Sequence, residues 1–174
     1  TRHSLPFRGA DFATLTEALD YAADGETGTN FYSGRGQLYA SLSYPDLRAQ
    51  CLVLARKFTG LGLVKGDRVA MVAETHPDFL RVFFACQYAG LIPVALPATI
   101  NLGGHQSFVA QLRGLIENSS AAVAIASEAF MPFVAEATDG LELRMIGEPA
   151  EFDALAESAE ALPRIDPDDI SYPQ

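Results

Sequence analysis

Three histidines, two cysteines and three closely spaced glycine pairs are the residues of this chain whose types could do chemistry. His76 and His105 each follow a segment that reads as a parallel strand, which puts both at the carboxyl edge where open sheets bind ligands. Glu74 and Glu128 share that edge. A histidine there could take part in proton transfer or metal binding. Neither, however, has a partner at metal-ligand spacing or a nucleophile nearby in sequence. Helix-entry or loop histidines, and acids placed favourably near helix N-termini, account for all four residues. His3 falls in the amino-terminal tail. Gly34-Arg35-Gly36 lacks the third glycine of a dinucleotide fingerprint, and Gly60-Leu61-Gly62 follows a helix instead of preceding one. Gly103-Gly104 precedes a helix and could cradle an anion, yet no Lys-Ser/Thr follows it, and a structural turn explains it. Cys51 and Cys86 each lie on the apolar face of a predicted helix, as small core residues of a reducing compartment do. By themselves these residues assign no catalytic group, no cofactor-binding group and no metal ligand.

The elements that would position them are clearest in residues 43–97. Ser43 and Asp46 have capping-box spacing, with Pro45 in the first turn. Leu47, Cys51, Leu54, Ala55 and Phe58 then form one stripe of an amphipathic helix. Gly60 and Gly62 supply the left-handed or tight-turn conformations that stop it. After a turn at Lys65-Gly66-Asp67, residues 69–73 are apolar without alternation, as a strand covered on both faces should be. Thr75-His76-Pro77-Asp78 repeats the capping logic for a second helix, again with Pro in the first turn. That helix carries Phe79, Leu80, Val82, Phe83, Phe84 and Cys86, apolar on more than one side, and is expected to be well buried. Gly90 ends it, and residues 91–96 form the next buried strand.

Around this stretch, residues 14–23 read as a short amphipathic helix, and residues 29–32 and 38–43 as a β-hairpin. Residues 97–104 form a long loop. A helix over 106–119 has Phe108, Leu112, Leu115 and Ile116 as its core stripe. Strands over 121–126 and 141–146 and helices over 128–137 and 152–161 complete the pattern. The class is α/β: a doubly wound, mostly parallel sheet with helices on both faces, preceded by the hairpin.

A chain of 174 residues fits a single domain and buries roughly 70% of its unfolded surface. The net charge of −10 argues against nucleic acid as a partner. Residues 82–100 contain no charge and approach the length of a membrane span, but Gly90, Pro93 and Pro97 interrupt them and Gln87 falls in their middle. No membrane span and no secretory signal is expected, and the expected location is the cytoplasm.

The same residues carry a resemblance. Leu42-Ser43-Tyr44-Pro45-Asp46-Leu47, residues 60–63, Lys65-Gly66-Asp67-Arg68-Val69-Ala70, Pro77-Asp78-Phe79, Phe84-Ala85-Cys86, Ala89-Gly90-Leu91-Ile92-Pro93-Val94 and Pro97 occur in the order found in adenylate-forming acyl-activating enzymes. Gln111-Leu112 with Ile116, Ser119 and Ala122 extends the match, which covers almost the whole chain. Asp166-Pro167-Asp168-Asp169-Ile170 resembles the lead-in to that superfamily's Ser/Thr/Gly-rich phosphate loop, which would begin within a few residues of Gln174. Pro173 departs from the pattern, where an apolar residue entering a strand is usual. Within the superfamily, Phe12-Ala13-Thr14-Leu15 and residues 162–170 look most like fatty acyl-AMP ligases, with bacterial fatty acyl-CoA synthetases second.

The resemblance implies one amino-terminal subdomain over residues 1–174. Residues 1–28 are its extension and first helix, and residues 162–174 the lead-in to the phosphate loop. The parent enzyme would use ATP and Mg²⁺ to convert a fatty acid to its acyl-adenylate. It would then pass the acyl group to CoA or to an acyl carrier protein. The chain's partners would be the carboxyl-terminal parts of the same enzyme, and alone it would be inactive and prone to self-associate. The rival expectation is a stand-alone small-molecule-binding or regulatory domain of doubly wound type, with a ligand at the sheet's carboxyl edge and residues 97–105 as its natural site.

Overall fold

The computed structural model describes residues 5–9, 11–99 and 104–172. In chain order the elements are α1 (Leu15–Ala23), β1 (Gly28–Tyr32), β2 (Leu38–Ser43), α2 (Tyr44–Gly60), β3 (Arg68–Val72) and α3 (Pro77–Ala89). They continue with β4 (Ile92–Leu96), α4 (Gly104–Ser119), β5 (Ala121–Ile125), α5 (Met131–Ala137), β6 (Met145–Gly147) and α6 (Pro149–Asp153). Strands β1 and β2 form a separate antiparallel hairpin, and the other four form a parallel sheet in the order β4-β3-β5-β6.

Alternation along β3 and β5 creates two cores. Val69, Met71, Val123 and Ile125 point to the face covered by α2 and α3, where the stripe from Leu47 to Phe58 is buried. Ala70, Val72 and Ala124 point to the opposite face, under Phe108, Leu112 and Ile116 of α4 and Val134 of α5. The sheet is therefore doubly wound, as the alternation of strand and helix patterns requires. Pro93 fits inside β4 because of its register. Ile92 N–H donates to Asp67 O and Ala73 N–H to Leu96 O, so the even-numbered residues of β4 face β3. The nitrogen of Pro93 thus faces the free edge, where no ladder bond is lost.

Several boundaries differ from the sequence expectation, each for a local reason. Gly60 is still helical, and Gly62 (φ +87°) is the residue that needs the left-handed region. A Cβ at Gly60 would instead meet Ala156 O at 2.6 Å, so this glycine permits a close backbone crossing. The second capping residue is His76, not Thr75. On α3 the fully buried positions run from Val82 and Ala85 to Ala89, whereas Phe79, Leu80, Phe83 and Phe84 are only partly covered. Helix α4 starts at Gly104, with Val109 buried and Leu115 exposed. Helix α5 starts at Met131, after a turn in which Met131 N–H donates to Ser127 O, so Pro132 sits in its first turn.

Two late elements are much shorter than expected. Residues 141–144 are held by local turn bonds after Gly140 (φ +75°), and pairing with β5 starts only where Arg144 N–H donates to Ala122 O. Helix α6 begins at Pro149 and stops at Asp153, and residues 154–161 are not helical. There the chain straps across α2: Ser158 N–H donates to Arg56 O at 2.9 Å, and the Arg56 and Glu157 side chains pair at 2.7 Å. Its anchor is Phe152, fully buried edge-on against Phe58 with ring centroids 5.9 Å apart.

Candidate functional site

Strand β3 connects through α3 to β4 on one side and pairs with β5 on the other, so the winding reverses between β3 and β5. Open sheets leave a crevice at the carboxyl ends of the strands at such a point. A cavity of about 230 Å³ lies there. Three connections build it. The one after β3 brings Glu74 and His76, the one after β5 brings Ser127 and Glu128, and the one after β6 brings Glu148. Met71, Val82 and Ile125 make its walls apolar below that polar rim.

His76 stands on the rim where α3 begins. It caps α3, its Nδ1 accepting the Asp78 N–H at 3.3 Å. The Asp78 carboxylate lies 3.1 Å from the same Nδ1 and accepts from Arg81 Nη1 at 2.6 Å. Arg81 also donates to both carboxylate oxygens of Asp153, at 2.7 and 2.9 Å. Burial works against the charge on Arg81, but Asp153 and Asp78 outweigh it and hold the guanidinium above its ordinary pKa. On the hairpin side, the Tyr39 ring stacks on the His76 ring at 6.4 Å, and the Tyr39 hydroxyl donates to Thr75 O. One chain of contacts therefore runs from the hairpin across the rim to α6.

Of the residues singled out from sequence, Glu74, His76 and Glu128 meet at this cavity. His105 does not line it. Its Nε2 sits 2.5 Å from Glu136 Oε2 and its ring touches Phe133, clipping α4 to α5. His3 and Gly103 fall outside the described residues, as does part of the 97–105 loop. The Gly34–Gly36 stretch is the hairpin turn, with Gly36 at φ +74°. Cys51 and Cys86 are buried free thiols. Burial pushes Cys51 up to about 12 and Cys86 well above the ordinary thiol range, so neither is a ready nucleophile. Ser127 and Glu148 were not recognisable in advance. Glu148 reaches the rim only because β6 stops at Gly147, and no motif marks that end.

Glu74, Glu128 and Glu148 make no ion pair among the described residues, so the rim carries an excess of negative charge. The Ser127 hydroxyl is buried without a hydrogen-bond partner. Among the described residues no group of three or more His, Cys, Asp or Glu is arranged to hold a metal ion. Also among the described residues, no helix is long and apolar enough to cross a membrane. The geometry is that of a small ligand crevice with an acidic rim.

Comparison with known proteins supplies what the geometry leaves open. The family described as AMP-binding enzyme matches residues 20–173. The chain belongs to the AMP-binding enzyme family. A Caulobacter vibrioides protein named for an inferred acyl-CoA synthetase activity is 44% identical over 167 residues, covering 96% of this chain and 29% of that protein. The 4-hydroxybenzoate/benzoate–CoA ligase of Rhodopseudomonas palustris is 31% identical over 118 residues, covering 64% of this chain and 21% of the ligase. A structure from work on fatty acyl-adenylate ligases of E. coli and L. pneumophila superimposes with a TM-score of 0.90. It is 43% identical and covers 96% of this chain and 30% of its own. The fold is shared more widely still: McyG bound to phenylalanyl-adenylate superimposes with a TM-score of 0.77 at 23% identity. This AMP-binding chain thus spans less than a third of the length of these relatives, and its α/β fold is that of their amino-terminal region.

Proposed function

We propose that this chain is the amino-terminal subdomain of a ligase that activates fatty acids as acyl-adenylates. The observation that carries the reading is the 43% identity and TM-score of 0.90 over 96% of the chain to a structure from work on fatty acyl-adenylate ligases. In the parent, a fatty carboxylate would attack the α-phosphate of ATP, releasing pyrophosphate and leaving the acyl-adenylate. The acyl group would then pass to a thiol of CoA or of a carrier protein. Charge on the reacting phosphate is stabilised in such reactions by Mg²⁺ and by backbone donors. In this reading the groups that hold phosphate and Mg²⁺ follow residue 174, and residues 162–174 lead into them. The described residues then serve as scaffold, and the parent works in the cytoplasm.

The division of labour has a physical basis. Buried thiols and an acid-rimmed crevice offer nothing to neutralise a triphosphate, whose recognition needs cations and free N–H groups. Fatty-acid-dependent ATP–pyrophosphate exchange tests the reading, run on the full-length protein and on the 174-residue chain. Exchange is expected from the first and not from the second. The crevice at the β3–β5 switch point favours a second reading, a domain that binds a small molecule without transforming it. Ligand binding by the isolated chain, with no exchange by the full-length protein, is the outcome that reading requires.

A further inference from the structure

Helix N-caps are normally Ser, Thr, Asp or Asn, none of which changes its hydrogen-bonding role near neutral pH. Helix α3 is capped by a histidine, and the ring's position lets Nδ1 reach two different partners on one residue. The Asp78 N–H lies 3.3 Å away and the Asp78 carboxylate 3.1 Å away. A neutral Nδ1 can only accept and a protonated one can only donate, so the two contacts exclude each other. We propose that His76 is a proton-operated cap on α3. When neutral it carries its proton on Nε2 and satisfies the Asp78 amide; when charged it releases that amide and binds the Asp78 carboxylate. The ring need not move, because both partners are already in place.

The amide belongs to Asp78, one of the residues that line the acid-rimmed crevice. Asp78 is bonded to Arg81 and through it to Asp153 of α6, while the Tyr39 ring of the hairpin is nearly parallel to the His76 ring with centroids 6.4 Å apart. The charged and titratable groups that share the rim or touch His76 come from several elements. Glu74, Asp78 and Arg81 belong to its own connection and helix, Tyr39 to β2, Glu128 to the β5–α5 connection and Glu148 to the start of α6. The inference concerns the rim of this chain alone and does not rest on the ligase reading.

Nitrogen-15 NMR of the 174-residue chain tests it without any substitution, because imidazole shifts report which nitrogen carries the proton. The neutral ring is expected as the Nε2–H form. As pH falls through the His76 titration, the protection factor of the Asp78 amide should drop about fivefold, the amount that loss of one capping bond gives. In His76→Asn, which caps without titrating, that step should vanish while the helix stays intact. His76→Ser provides the same test should the asparagine variant fold poorly. A neutral ring protonated on Nδ1, or an Asp78 amide indifferent to the titration, overturns the proposal. So does a step that persists in His76→Asn, which would assign it to the surrounding carboxylates.

Discussion

Replacing Gly60 by alanine isolates the packing of the 154–158 strap from helix propensity, because the two act in opposite directions. Gly60 is the last residue of α2, and alanine is intrinsically better there by about 0.5–1 kcal/mol. The added Cβ would sit 2.6 Å from Ala156 O and 3.1 Å from Ser158 N. Both are backbone atoms, and the first contact is roughly 1 Å inside normal van der Waals separation. Relief requires the strap to lift, which costs the Ser158-to-Arg56 hydrogen bond, about 1 kcal/mol. It also weakens the half-exposed Arg56–Glu157 pair, by less than about 1 kcal/mol. With overpacking of about 1–3 kcal/mol, the net loss is about 1–4 kcal/mol, and Tm falls by roughly 2–4 °C for each. Gly114→Ala in α4 is the control, since a Cβ there meets nothing within 4 Å and should stabilise by about 1 kcal/mol. Urea unfolding followed by circular dichroism measures both. A Gly60→Ala chain as stable as Gly114→Ala would refute the strap.

Other consequences are equally direct. Lys65 pairs with Asp169 at 2.7 Å, and its hydrogen bond holds the Asp169 carboxyl below, and its own ammonium above, their ordinary values. What Asp169 adds to stability is present above about pH 3.9 and lost as pH falls through its lowered pKa. What Lys65 adds is present below about pH 10.4 and lost as pH rises through its raised one. Carbon-13 titration should show Asp169 moving up toward the ordinary range in Lys65→Met, with the Asp166 N–H still holding part of the lowering. Cys51 and Cys86 should resist a thiol reagent at pH 8 in the folded chain and react in denaturant; fast labelling without denaturant would contradict their burial. The hairpin leaves Tyr32 and Leu38 about half exposed beside unpaired strand edges. Sedimentation should therefore find the 174-residue chain self-associating, and less so in Leu38→Lys. A strictly monomeric chain would count against that.

The legible part of the fold was the part governed by local rules. The stripe from Leu47 to Phe58 is buried at all five positions, because a 3.6-residue period against a flat sheet admits one solution. The 69–73 and 91–96 runs lie in the parallel sheet within a residue of their expected bounds. What could not be read depended on distant partners. The acidic 152–161 segment has helical composition, but Ser158 finds Arg56, and Phe152 finds Phe58, 94 positions earlier in the chain, and the helix ends at Asp153. Likewise, Glu74, His76 and Glu128 could be placed at the carboxyl edge individually. That they meet, with Glu148 added, follows from the order β4-β3-β5-β6, which periodicity does not encode. The chemistry itself stayed out of reach, and kinship rather than geometry points to it.

Fatty-acid-dependent ATP–pyrophosphate exchange bears most directly on that kinship. The full-length protein should exchange pyrophosphate into ATP when given a fatty acid, and the 174-residue chain should not, even at high concentration. Exchange by the isolated chain, or a full-length protein that ignores fatty acids across a range of chain lengths, would contradict the assignment.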